Sequence, residues 1–121
     1  MRFARCYSNP VCSPTRATIL TGQYAFRSGI GRAIAPASPY GLDPRPATLL
    51  PKALPPGYLK VAIGKWHLGT PETGGEWHPV LCGFDLYAGS LENFSERPGG
   101  SSSYWSFPKT YASASGVVTV P

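Results

Sequence analysis

The sequence predicts a loop-rich α/β chain, and three observations carry that reading. Residues 14–21 are punctuated as a short helix: Ser13 suits the N-cap, Pro14 the first helical position and Gly22 the position just past the end. Residues 58–63 are mostly apolar with β-branched members and lie between Gly57 and Gly64, which reads as a short buried parallel strand following a helix. Fourteen glycines and fourteen prolines among 121 residues, about twice average usage, leave much of the rest to loops.

The remaining elements follow in order. Pro36, Pro39, Pro44 and Pro46 mark residues 32–46 as a surface loop. Thr48 can cap a short helix running to about Leu54, with Pro51 in the first turn, where a missing N–H is tolerated, and Pro55-Pro56-Gly57 as its stop. Residues 70–75 read as loop, 83–87 as another short strand, 98–103 as a flexible connection and 117–120 as a further strand candidate. There is no internal repeat, and 42% apolar residues suffice for one small domain with a modest core.

Two places carry chemistry. Cys12 stands at the mouth of the 14–21 helix, whose first turn offers unpaired N–H groups, a partial positive charge and Arg16, so that a thiol there faces a pocket suited to an anion. Helix N-termini activate thiols, although a cysteine in such a place can equally be a small apolar residue. Gly64-Lys65-Trp66-His67 leaves the carboxyl end of the predicted strand, which is where open α/β sheets bind ligands. Lys65 and His67 are two apart, so on an extended segment a cation and a proton carrier face one side. Structural or solvated roles stay open for each alone.

The longer strings are more specific. Cys12-x-Pro14-x-Arg16, continued by Ala17 and Thr21-Gly22, resembles the first signature of the type I sulfatases, and the flanking residues 7–11 and 23–24 are similar to that family as well. Residues 57–69, ending in Gly-Lys-Trp-His-Leu-Gly, resemble its second signature, and Gly83-Phe84-Asp85 and Tyr104-Trp105-Ser106 are weaker family-like pieces. The resemblance implies a partial alkaline phosphatase-like mixed sheet flanked by helices, with residues 1–121 covering only part of the sulfatase catalytic domain.

It also implies a mechanism. A formylglycine-generating enzyme would oxidise Cys12 to formylglycine, whose hydrate is a geminal diol. One hydroxyl attacks the sulfur of a sulfate ester and the alcohol leaves, giving a sulfated enzyme. The second hydroxyl then expels sulfate. In this scheme Arg16 holds and polarises the diol, Lys65 binds a sulfate oxygen, and His67 bonds the diol and assists proton removal. The family also holds a divalent cation, usually calcium, on Asp-Asp and Asp-Asn pairs together with the formylglycine. Neither pair is present here: the six acidic residues, Asp43, Glu72, Glu76, Asp85, Glu92 and Glu96, lie outside such motifs, so Cys12 after conversion is the one candidate ligand. Two other readings share these residues: a phosphonate or phosphate monoester hydrolase of the same superfamily, and a non-catalytic truncated remnant or small basic binding module.

Composition excludes less than the motifs decide. The formal charge is +5, with Arg2, Arg5, Arg16, Arg27 and Arg32 in the first third, which favours anionic partners. No recognition helix, zinc-finger spacing or aromatic RNA-binding motif accompanies it, so nucleic acid is not an expected partner. Three cysteines, Cys6, Cys12 and Cys82, make no disulfide framework, and His78 with Cys82 lacks the second ligand pair of a zinc site. No apolar run approaches the roughly 20 residues of a membrane span and no secretory h-region follows Met1, so the compartment stays unread between periplasmic, secreted and lysosomal.

Overall fold

The computed structural model describes residues 2–93 and 108–120. Helix α1 runs Cys12–Thr21 and ends on Gly22, whose left-handed φ of 66° lets its N–H return to the Thr18 carbonyl at 2.9 Å. The helix begins two residues earlier than its punctuation predicts. Extended Val11 is the N-cap, and Ser13 does not cap. Its hydroxyl instead donates to the His67 carbonyl at 2.8 Å and accepts the Ile34 N–H at 3.1 Å, so a fully buried oxygen serves two distant backbone groups. Pro14 therefore sits third in the first turn, at a position whose N–H has no partner within the helix. The approach loop is tied to α1 by Asn9, which donates to the Thr18 hydroxyl at 3.1 Å and accepts from that of Thr15 at 3.0 Å.

Two further short helices follow, α2 (Ala25–Ser28) and α3 (Leu50–Ala53). The first is absent from the sequence reading because four residues show no period. Thr48 does not cap the second; Leu49 stands there without a side-chain cap. The intervening segment is not purely surface, since Leu42 and Leu49 are buried and the Leu42 N–H donates to the Leu68 carbonyl at 2.8 Å.

Strand β1 (Val61–Ile63) pairs in parallel with β2 (Leu86–Gly89), which pairs antiparallel with β3 (Lys109–Ser113), itself antiparallel to β4 (Gly116–Val120). Asp85 starts the parallel pair: its carboxylate accepts the Lys60 N–H at 2.8 Å and its own N–H donates to the Lys60 carbonyl at 2.8 Å. The predicted loop at 70–75 instead holds two 3₁₀ turns (Pro71–Thr73 and Gly75–Trp77), the first closed by a Thr70–Thr73 capping box, and α4 (His78–Leu81) follows. The expected flexible connection at 98–103 and the 104–106 piece lie outside the described residues.

The two faces of the sheet differ. Tyr87, Thr110 and Ala112 point to the core with Trp66, Leu68 and Cys82. Val61, Ile63, Leu86, Tyr111 and Val118 line the other face and are exposed among the described residues, so β1 is parallel as expected but not buried. Parallel sheets are ordinarily covered on both faces. An uncovered apolar face promotes association, so Ile63→Lys, at a side chain 82% exposed, should lower self-association in light scattering while changing stability by less than about 0.5 kcal/mol. A fall in Tm of several degrees would contradict this placement of Ile63.

Candidate active site

Cys12 occupies the first position of α1, and its Sγ lies 3.0 Å from Nδ1 of His67. The other ring nitrogen, Nε2, is 3.0 Å from the Ile34 carbonyl, an obligate acceptor. Nε2 therefore donates to Ile34, and Nδ1 is the ring nitrogen that meets Cys12. His67 is buried and stands at φ 54°, a left-handed backbone that a non-glycine residue keeps only where its surroundings impose it. The expectation of a plain extended segment at 65–67 is thus incorrect in detail, yet Lys65 and His67 both act on Cys12.

Lys65 donates to Asn93 Oδ1 and its carbonyl accepts from Arg16 Nη1, while its ammonium stands close enough to Cys12 to act on the thiol. Arg16 comes from the same helix as Cys12, one turn on, so its guanidinium ties α1 to the end of β1. Its Nε is buried with no acceptor among the described residues. Burial pushes the Cys12 thiol up, but the Lys65 ammonium, its hydrogen bond, and the backbone N–H groups of Ser13 and Cys12 outweigh that and hold the thiol below its ordinary value. All four residues singled out from the sequence converge here. Asn93, Ser13 and the Ile34 carbonyl were missed, because each joins through a contact distant in sequence and no local spacing announces it.

Cys82 is the counterexample. It is fully buried, and burial pushes its thiol up to about 12. Iodoacetamide near neutral pH should therefore label Cys12 well before Cys82 in the folded chain, read by peptide mapping. Labelling of Cys82 first would contradict the described burial. His78, also fully buried, accepts the Trp66 indole N–H at Nδ1 (3.0 Å) and donates from Nε2 to the Leu42 carbonyl (2.9 Å), with Cys82 Sγ 3.6 Å from Nδ1.

Hard cations require about six oxygen donors. Lysine, arginine and histidine surround Cys12, and the described residues contain no group of three or more His, Cys, Asp or Glu able to hold a metal ion. These residues do not fit a calcium site on their own. Among the described residues no helix is long and apolar enough to cross a membrane.

The family model named Sulfatase matches residues 1–113. The chain belongs to the sulfatase family. Human arylsulfatase G is 44% identical over 90 residues, which cover 74% of this chain and 17% of that protein. Pig N-acetylgalactosamine-6-sulfatase is 39% identical over 99 residues, covering 74% and 18%. The crystal structure of Ps i-CgsB superposes with a TM-score of 0.59 at 35% identity over 70% of this chain and 18% of its own. The chain thus spans less than a fifth of the length of these relatives.

Proposed function

We propose that this chain carries the nucleophile half of a sulfatase active site, and that a whole protein containing it hydrolyses a sulfate ester at a formylglycine made from Cys12. The observation that carries the reading is the convergence of His67 Nδ1 and Lys65 on Cys12 at the first turn of a helix. Formylglycine supplies, as its hydrate, one hydroxyl to attack sulfur and a second to release sulfate.

The chain's own residues do the rest. The His67 Nδ1 lone pair, fixed by the Nε2 bond to Ile34, accepts the proton from a hydroxyl at position 12. Lys65 neutralises charge on the sulfate oxygens, and Arg16 anchors the Lys65 backbone while adding its own positive charge. The first turn of α1 points N–H groups toward the same place. A divalent cation, usually calcium in the family, would be held by the formylglycine at position 12 together with residues other than those described.

The test is to transplant the 90-residue segment matched to human arylsulfatase G into that enzyme, co-express it with a formylglycine-generating enzyme and follow hydrolysis of an aryl sulfate. Turnover that disappears in Cys12→Ala supports the reading; a folded, converted and inactive chimera contradicts it. The 121-residue chain alone should hydrolyse the ester negligibly with calcium added, because scattered loop carboxylates cannot assemble a hard-cation cage without a large ordering cost.

A further inference from the structure

We propose that His78 is the positioning residue for the Lys65–His67 pair: by holding the Trp66 indole that stands between them, it keeps both side chains directed at Cys12. The inference deepens the site reading above. It is read on the Cys12 thiol, so it does not depend on sulfate turnover.

Trp66 is the pivot of the segment. Lys65 and His67 serve Cys12, while the indole between them turns into the core and is 5% exposed. Its neighbours Phe84 and Tyr87 meet it edge-on, with ring centroids 5.9 and 6.2 Å away. Such contacts fill space but tolerate rotation. The Nε1–H bond to His78 Nδ1 is directional, and a buried indole N–H without an acceptor is costly.

His78 cannot drift. Its Nε2–H is fixed on the Leu42 carbonyl, and Leu42 is fixed in turn on Leu68, immediately after the catalytic segment. Gly69 presses on the ring so closely that an added Cβ would come within 2.5 Å of His78 Cγ. The ring is therefore clamped between the Leu42 carbonyl and the Gly69 backbone, beside the 68–69 stretch that follows residues 65–67. The left-handed backbone of His67 needs such outside restraint. The Trp66 and His67 N–H bonds to the Ser90 and Leu91 carbonyls, at 2.8 and 2.7 Å, hold the main chain, and Ile34 and Asn93 hold the tips of His67 and Lys65; the indole bond sets the side chain between them.

The experiment follows the alkylation rate of Cys12 against pH by peptide mapping in the full 121-residue chain, comparing wild type, His78→Leu, His78→Gln, Trp66→Phe and Lys65→Met. Loss of the indole bond should let Lys65 fall away from the thiol. His78→Leu should then slow labelling severalfold at neutral pH and move the midpoint up toward that of Lys65→Met. His78→Gln, which keeps an acceptor for the indole and a donor for Leu42, should remain with wild type. A folded His78→Leu chain with the wild-type midpoint overturns the proposal, as does a His78→Gln chain impaired as much as His78→Leu. If His78→Leu does not fold, Trp66→Phe removes the same N–H while keeping an aromatic ring; an upward shift supports the proposal and an unchanged midpoint overturns it. An inactive chimera in the sulfate assay leaves these rates untouched.

Discussion

Gly89→Ala should leave the chain unfolded. A Cβ at position 89 would lie 1.9 Å from the Gly64 carbonyl oxygen and within 3 Å of the Gly64 carbonyl carbon and nitrogen. Overpacking a core where side chains can yield costs about 1–3 kcal/mol. Here the obstacle is backbone, held by the Gly64 N–H bond to Ala88 at 2.8 Å and by the Tyr87 hydroxyl on the Gly64 carbonyl at 3.1 Å. Relief requires β1 and β2 to separate, so the loss should exceed that range, against a total stability of roughly 5–15 kcal/mol for an ordinary domain. Gly31→Ala is the control, since an added Cβ meets nothing within 4 Å there and φ is not left-handed. Far-UV circular dichroism and a denaturant titration decide the matter. A cooperative transition in Gly89→Ala near that of wild type would show that the two strands do not approach as described.

Lys65→Ala should produce a large functional loss with Cys12 still in place. In the chimera it removes a charge-assisted contact to sulfate, worth about 1.5–3 kcal/mol, or roughly 10- to 150-fold in kcat/KM. In the chain itself it should raise the Cys12 thiol, because Lys65 is the cation that opposes the effect of burial there. The sign is explicit: with the folded thiol held below its ordinary value, the thiolate forms at lower pH in wild type than in the variant. Alkylation at neutral pH should slow accordingly. Lys65→Arg is not expected to restore the rate in full, since a planar fork does not replace a compact ammonium on Asn93 and Cys12. Unchanged labelling and unchanged kcat/KM together would remove Lys65 from the site.

Much of this was legible in the sequence, for identifiable reasons. Gly22 ends α1 where a left-handed residue is needed, and the glycine-bounded apolar run at 58–63 contains β1. The cysteine, arginine, lysine and histidine of the two signatures meet in space. What was not legible depends on distant partners. Ser13 looks like a cap by local rules, but the backbone of Ile34 and His67 competes for its hydroxyl. The left-handed turn at His67 is imposed by its surroundings and leaves no trace in composition. Strand β3 alternates buried Thr110 and Ala112 with exposed Lys109 and Tyr111, a pattern too short and too polar to stand out. Trp66 and His78 are 12 residues apart, and their bond follows from the fold of the 3₁₀ turns between them.

The central claim, that Cys12 is the formylglycine precursor of a sulfatase site, is tested most directly by peptide mass spectrometry on the chain co-expressed with a formylglycine-generating enzyme. The account predicts loss of the thiol and gain of an aldehyde at Cys12, with Cys6 and Cys82 unchanged and conversion abolished in Arg16→Ala. An intact Cys12 thiol under conditions that convert a control sulfatase would contradict it.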